Sequence, residues 1–133
     1  MALQYSSTIY LARLDQVEVS TGVSAKLLIF KGSAPANCAA ADTGTLLATL
    51  TLPSDWMNAA SGTTKTLLGS WTASASAGAA DTPTHFRLKD NAGTTCHVQG
   101  TCGIGSGDLQ VNGTITSGQT VTVTSFTLTA GNT

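Results

Sequence analysis

The residues best suited to chemistry lie in CHVQGTC, residues 96–102, where two cysteines flank His97, with His85 upstream and Cys38 far from both. Thiolate and imidazole donors are the usual ligands of a tetrahedral zinc site. Strand alternation points Cys96 inward with Val98 and His97 outward, which scatters those donors. Cys96 therefore reads as a small buried thiol packed as a hydrophobe, and no metal or other cofactor is expected. The three cysteines are an odd number, which argues against a secreted disulfide framework. A Cys96–Cys102 bond stays open in an oxidising medium, subject to disulfide geometry.

Other catalytic patterns are thin. Neither histidine stands beside a nucleophile in a Gly-x-Ser-x-Gly turn. GIGSGD, residues 103–108, has glycines at alternate positions but lacks the Lys-Ser/Thr ending and following helix of a phosphate loop, so it reads as a loop between strands. Asp15, Glu18, Asp42, Asp55, Asp81, Asp90 and Asp108 fall mostly in turns, where such residues cap backbone groups. Nothing singles out a glycosidase pair among them. Trp56 and Trp71 can stack on a sugar or sit in the core or rim of a sandwich, and Tyr5 and Tyr10 can anchor an interface. The reading is a protein without enzymatic activity.

These residues must be held by elements that are mostly strands. YSSTIYLARLDQVEVSTG is the one stretch with helical character: Ser6 or Ser7 can cap it, Tyr10, Leu14 and Val17 recur at i, i+4 and i+7, and Gly22 follows. A helix over residues 7–20 is predicted, with residues 1–5 as an arm that is frayed or docked on a partner. AKLLIFKG is apolar at both parities, which predicts a strand covered on both faces, one cover being the N-terminal helix. TLLATLTLP places Leu46, Ala48, Leu50 and Leu52 on one face and stops at Pro53. APANCAAADTG between them is a small-residue loop of a kind that often carries contacts. The Ala, Ser and Gly tract from Thr72 to Ala80 reads as a flexible loop in preference to a strand.

Two registers follow from burial alone. If Phe86 and Leu88 share the core with Cys96 and Val98, Leu88 lies opposite Cys96 and Phe86 opposite Val98. Asn91, Ala92 and Gly93 then form a three-residue loop with Gly93 left-handed, and Arg87 sits opposite His97 on the outer face. A tight hairpin at Asn112-Gly113 is disfavoured, because it would pair Ile115 with Gln110 and make the apolar faces disagree. In the closing run ITSGQTVTVTSFTLTAGNT, Val121 and Val123 have one parity while Phe126 and Leu128 have the other. The slip near Thr124 and Ser125 predicts a β-bulge or a bend.

The count of seven to eight short strands with turn signals between them predicts a mainly β fold, a β-sandwich or jelly roll with one N-terminal α-helix. Residues 1–133 make one domain, with arm and helix over 1–22 and the sandwich over 25–133. Charged residues are 10% of the chain and the net charge is −1, which leaves no electrostatic footprint for nucleic acid or an anionic membrane. No apolar run approaches the roughly 20 residues of a membrane span, and no signal-peptide pattern follows Met1, so synthesis in the cytoplasm is expected.

The runs MALQYSSTIYLARLDQV, AKLLIFKGSAPANCAAADTGTLLATLTL and GDLQVNGTITSGQTVTVTSFTLTAG together span nearly the whole chain. In this order they resemble a family of small virion structural proteins of tailed bacteriophages, associated with head decoration, or cement. The resemblance implies a place on the capsid exterior, with the major capsid protein and further copies of the chain, as dimer or trimer, for partners. A tail, neck or fibre component and a surface or carbohydrate-binding module are the other classes considered. The candidate contact residues are Leu3, Tyr5, Ile9, Tyr10 and Arg13 on the arm and helix, with Trp56 and Trp71.

Overall fold

The computed structural model describes residues 3–76 and 80–130. Helix α1 runs over Ser7–Thr21, close to its predicted span. Ser6 precedes it in extended conformation, and its carbonyl accepts from Ile9 and Tyr10 N–H at 3.0 and 3.2 Å. Gly22, at φ 91°, ends it in a conformation that L side chains disfavour. Leu14 is buried and Val17 packs on the core, as the i, i+4, i+7 pattern requires.

Among the described residues ten strands follow: β1 Lys26–Lys31, β2 Thr45–Thr51, β3 Thr64–Thr66, β4 Thr72–Ser74, β5 Ala80–Asp81, β6 His85–Lys89, β7 Cys96–Gly103, β8 Leu109–Val111, β9 Ile115–Thr116 and β10 Thr120–Thr129. Eight form one mixed sheet in the order β2-β1-β6-β7-β8-β10-β3, with β4 also on β10. β5 and β9 pair separately. β7 and β8 are parallel, joined by the loop expected at GIGSGD. The fold is thus mainly β with a single helix, as predicted, and the facing layers are two halves of one curled sheet. Ala48 of β2 bridges Ala75 just after β4, and Ser76 N–H donates to Leu47 O at 2.8 Å, so the edge strand β2 meets the far side of the curl.

The interior holds a row of aromatic rings. Trp56 meets Trp71 edge-on at 5.9 Å, Trp71 meets Phe126 at 5.5 Å, and Phe126 meets Phe86 edge-on at 5.5 Å. Edge-on pairs of this kind add about 1 kcal/mol beyond burial. Both indole N–H groups are satisfied: Trp56 donates to Gly22 O at 2.9 Å, which ties the row to the end of α1, and Trp71 donates to Trp56 O and Leu68 O. Phe86 lies opposite Gly100, where a Cβ would stand 2.9 Å from the Phe86 ring, so only glycine leaves the ring its place.

The bulge predicted in the last strand is present. The β8–β10 register shifts between Val123 and Ser125, so Thr124 is the extra residue and Phe126 turns to the same buried face as Val121 and Val123. No tight hairpin forms at Asn112. Its side chain instead joins β10, accepting from Thr122 N–H at 3.0 Å. Bulges also overturn two registers. Between Ile29 and Phe30 the β1–β2 pairing shifts, which buries Leu47 and leaves Leu46 at 37% exposure, outside the predicted apolar face. Between Leu88 and Lys89 the β6–β7 pairing shifts, so Leu88 faces Val98, Phe86 faces Gly100 and Arg87 faces Gln99. Gly93 is left-handed as expected, at φ 74°.

Two further expectations need correction. The tract from Thr72 to Ala80 is not simply a loop: Thr72–Ser74 is a strand held by backbone pairing to β10, and Ala80 begins β5, while residues 77–79 lie outside the described residues. The outer cover of β1 is not α1, which packs on β3 and β7. Residues 32–44 instead lie over the same side of the neighbouring β6, bonded to it through Arg87 and Lys89.

Candidate functional site

All five residues of β6 are buried. Phe86 and Leu88 enter the core, while His85, Arg87 and Lys89 alternate with them on the other face. That alternation reads as a solvated face, yet residues 32–44 close over it. Arg87, at 1% exposure, donates through Nη1 to Asp42 Oδ1 and through Nη2 to Cys38 O at 2.8 Å. Lys89 Nζ donates to Asp42 Oδ2 at 2.7 Å. The loop is further tied by Gln99 Nε2 donating to Pro35 O at 2.9 Å and Thr43 Oγ1 donating to Ser33 O at 2.6 Å. Asn37 Oδ1 accepts from Ala39 and Ala40 N–H, which sets the turn that presents Cys38. The expected outward Arg87 opposite His97 is therefore replaced by a buried guanidinium that organises a loop.

Burial works to raise the Asp42 pKa, but hydrogen bonds from Lys89 and Arg87 overcome it and hold the carboxyl below its ordinary value. His85 stacks on Phe30 at 5.1 Å with planes 5° apart. Its Nδ1 lies 3.2 Å from Gly32 O, and burial holds its pKa below the ordinary histidine value. Imidazole, guanidinium and ammonium are each committed to fixing this face.

The Cys96 thiol is not where alternation placed it. The shift at Leu88/Lys89 sets Cys96 opposite Lys89, and Cys96 lines a cleft of about 270 Å³ with Cys38, Asp42, Arg87, Lys89 and Thr94. Cys102 is buried in the core, where desolvation pushes its thiol up to about 12. Cys96 and Cys102 lie on one strand six residues apart, a span of about 20 Å. A disulfide needs its Cα atoms within about 7 Å, so that pair cannot bond. His97 is exposed, beside a shallow groove between α1 and β7 shared with Arg13, Gln16, Val17, Ser20 and Val98. Among the described residues, no group of three or more His, Cys, Asp or Glu side chains is placed to hold a metal ion.

The candidate contact residues divide sharply. Leu3, Tyr5 and Ile9 are exposed, at 77%, 41% and 48%, and are joined by Val19 at 70% and Val23 at 68%, which the sequence reading did not single out. Arg13 lies over the Tyr5 ring at 5.2 Å from its centroid, which lays the arm along the helix. Tyr10 is half-buried. Trp56 and Trp71 are in the core at 0% and 1% exposure and are removed from the candidate surface. Large apolar area and edge-on ring contacts drew both indoles inside.

The helix carrying this surface is docked by charge. Lys65, at 2% exposure, donates to Asp15 Oδ1 at 2.8 Å and Asn58 O at 2.9 Å, with Glu18 Oε1 at 3.7 Å. Asp15 also accepts from Ala60 N–H and Glu18 from Met57 N–H. The Lys65 hydrogen bond, helped by Ala60, holds the Asp15 pKa below its ordinary value. No helix among the described residues is long and apolar enough to cross a membrane.

Compared with known proteins, the chain matches no family model, no curated protein and no solved structure.

Proposed function

We propose that the chain is a non-enzymatic structural protein of a tailed-phage virion that decorates the capsid by bridging major capsid protein subunits. The observation that supports this best is the exposed apolar side chains of the arm, the helix and the turn after it, Leu3, Tyr5, Ile9, Val19 and Val23, the helix being fastened to the body by an ion pair between Asp15 and the buried Lys65. Large exposed apolar side chains at both ends of one helix are candidates for contact surfaces. At about 25 cal/mol per Å² of apolar burial, a modest contact repeated over many copies sums to a large stabilisation of a shell. The sequence resemblance supplies the phage setting. The carbohydrate-binding alternative loses its two indole platforms to the core.

The test is the copy number of the chain relative to the major shell protein, by quantitative mass spectrometry of purified virions and tail-free heads. Hundreds of copies retained on heads are expected. A dozen or fewer, lost with the tail, would move the protein to the neck, tail or fibre, and absence from particles would overturn the structural role.

A further inference from the structure

Arg87 brings two distant parts of the chain together. Its Nη2 holds the Cys38 carbonyl at 2.8 Å. Cys96, on the neighbouring strand, opens onto the same cleft as Arg87 and Cys38, its thiol donating only a long 3.4 Å bond to Val98 O. Neither cysteine is fully buried. The backbone on each side is fixed: Cys38 by the Asn37 turn and the Arg87 bond, Cys96 by pairing with Lys89. Facing each other across one cleft, with the backbone of each anchored, the two residues are the thiol pair of the chain placed to meet the Cα separation of a disulfide.

The geometry points to Cys38 and Cys96 as a redox-modifiable pair, which a small-molecule disulfide such as oxidised glutathione converts to a protein disulfide locking the 32–44 loop onto β7. In the first step the Cys38 thiolate attacks one sulfur of the reagent and expels one small thiolate. In the second, deprotonated Cys96 attacks Cys38 Sγ of the mixed disulfide and expels the other. The balance is two protein thiols and one small disulfide giving one protein disulfide and two small thiols. Burial and the Cys38 thiol push Cys96 up to about 11, while Arg87 draws it down. Cys96 therefore suits the second attack, and closure speeds up as pH rises. Cys102, held in the core along the same strand, takes no part.

The experiment treats the full chain with oxidised glutathione at about pH 8.5, where thiolate is more abundant, then alkylates, digests without reduction and maps the peptides. The expected result is a Cys38–Cys96 linked peptide two hydrogens lighter than the free pair, with Cys102 alkylated only after unfolding. The melting midpoint of the oxidised chain should exceed that of the reduced chain by about 10 °C. That gain should be absent in C38S and C96S and present in C102S. Three free thiols after treatment, a persistent glutathione adduct on Cys38 without transfer to Cys96, or a link through Cys102 would each overturn the assignment. None of these outcomes depends on the virion role.

Discussion

Arg87 and Lys89 share the carboxylate of Asp42 beneath the 32–44 loop. Asp42→Asn leaves two buried cations facing a neutral amide. Breaking a fully buried pair costs about 3–5 kcal/mol, and because the Asp42 side chain is 35% exposed the expected loss is about 2 kcal/mol in chemical denaturation. His85 sets a pH dependence. Its folded pKa lies below 6.5, so the unfolded chain takes up the proton more readily. Its contribution is complete above about pH 6.5 and is lost as pH falls from there toward the folded value. Asp15 and Asp42, held below 3.8, add stability that is present above that pH and lost as pH falls through their folded values. Melting midpoints should drop between pH 7 and 5, and His85→Gln should flatten that limb while sparing the acid limb below pH 4. An unchanged slope in the variant would remove His85 from the account. At this scale the sequence was a poor guide. Arg87 and Lys89 alternate with Phe86 and Leu88 as solvated residues do, and the loop that buries them comes from some 45 positions earlier, beyond any local pattern.

Periodicity was more informative at the scale of elements. A one-residue slip in the apolar phase of a strand has few physical solutions, and the bulge at Thr124 is the one adopted. Deleting Thr124 forces either Val121 and Val123 or Phe126 out of the interior. The expected cost is about 4 kcal/mol, whereas Thr124→Ala at the same exposed position should stay within about 0.5 kcal/mol. Equal effects of the two changes would show that the extra residue does not set the register. The helix was equally legible, because Tyr10, Leu14 and Val17 repeat at its period and Gly22 stops it. Its docking partner was not, since Lys65 shows only as an isolated charge in a threonine-rich stretch. Lys65→Ala should cost about 2 kcal/mol and make α1 more susceptible to protease than the sheet. The bulges at Ile29/Phe30 and Leu88/Lys89 left no phase slip in the residues used to read them. Leu46 and Cys96 were consequently assigned to the wrong faces.

For the whole molecule, the sheet carries stability and the arm with its helix carries the proposed contact, so the two should separate by mutation. Deleting residues 1–6 is expected to weaken binding to purified heads by at least tenfold while leaving the melting midpoint within about 2 °C. Retained binding would remove the arm from the contact. The distribution of chromophores makes this separation directly observable. The chain has two tryptophans, both inside the aromatic row, and two tyrosines, Tyr5 and Tyr10, both on the arm and helix. Indole emission therefore reports the interior and should redden only when the sheet opens, whereas phenol absorbance near the docked arm reports the surface. Light alone, without a label, can therefore tell a copy that has let go of its proposed partner from a copy that has unfolded.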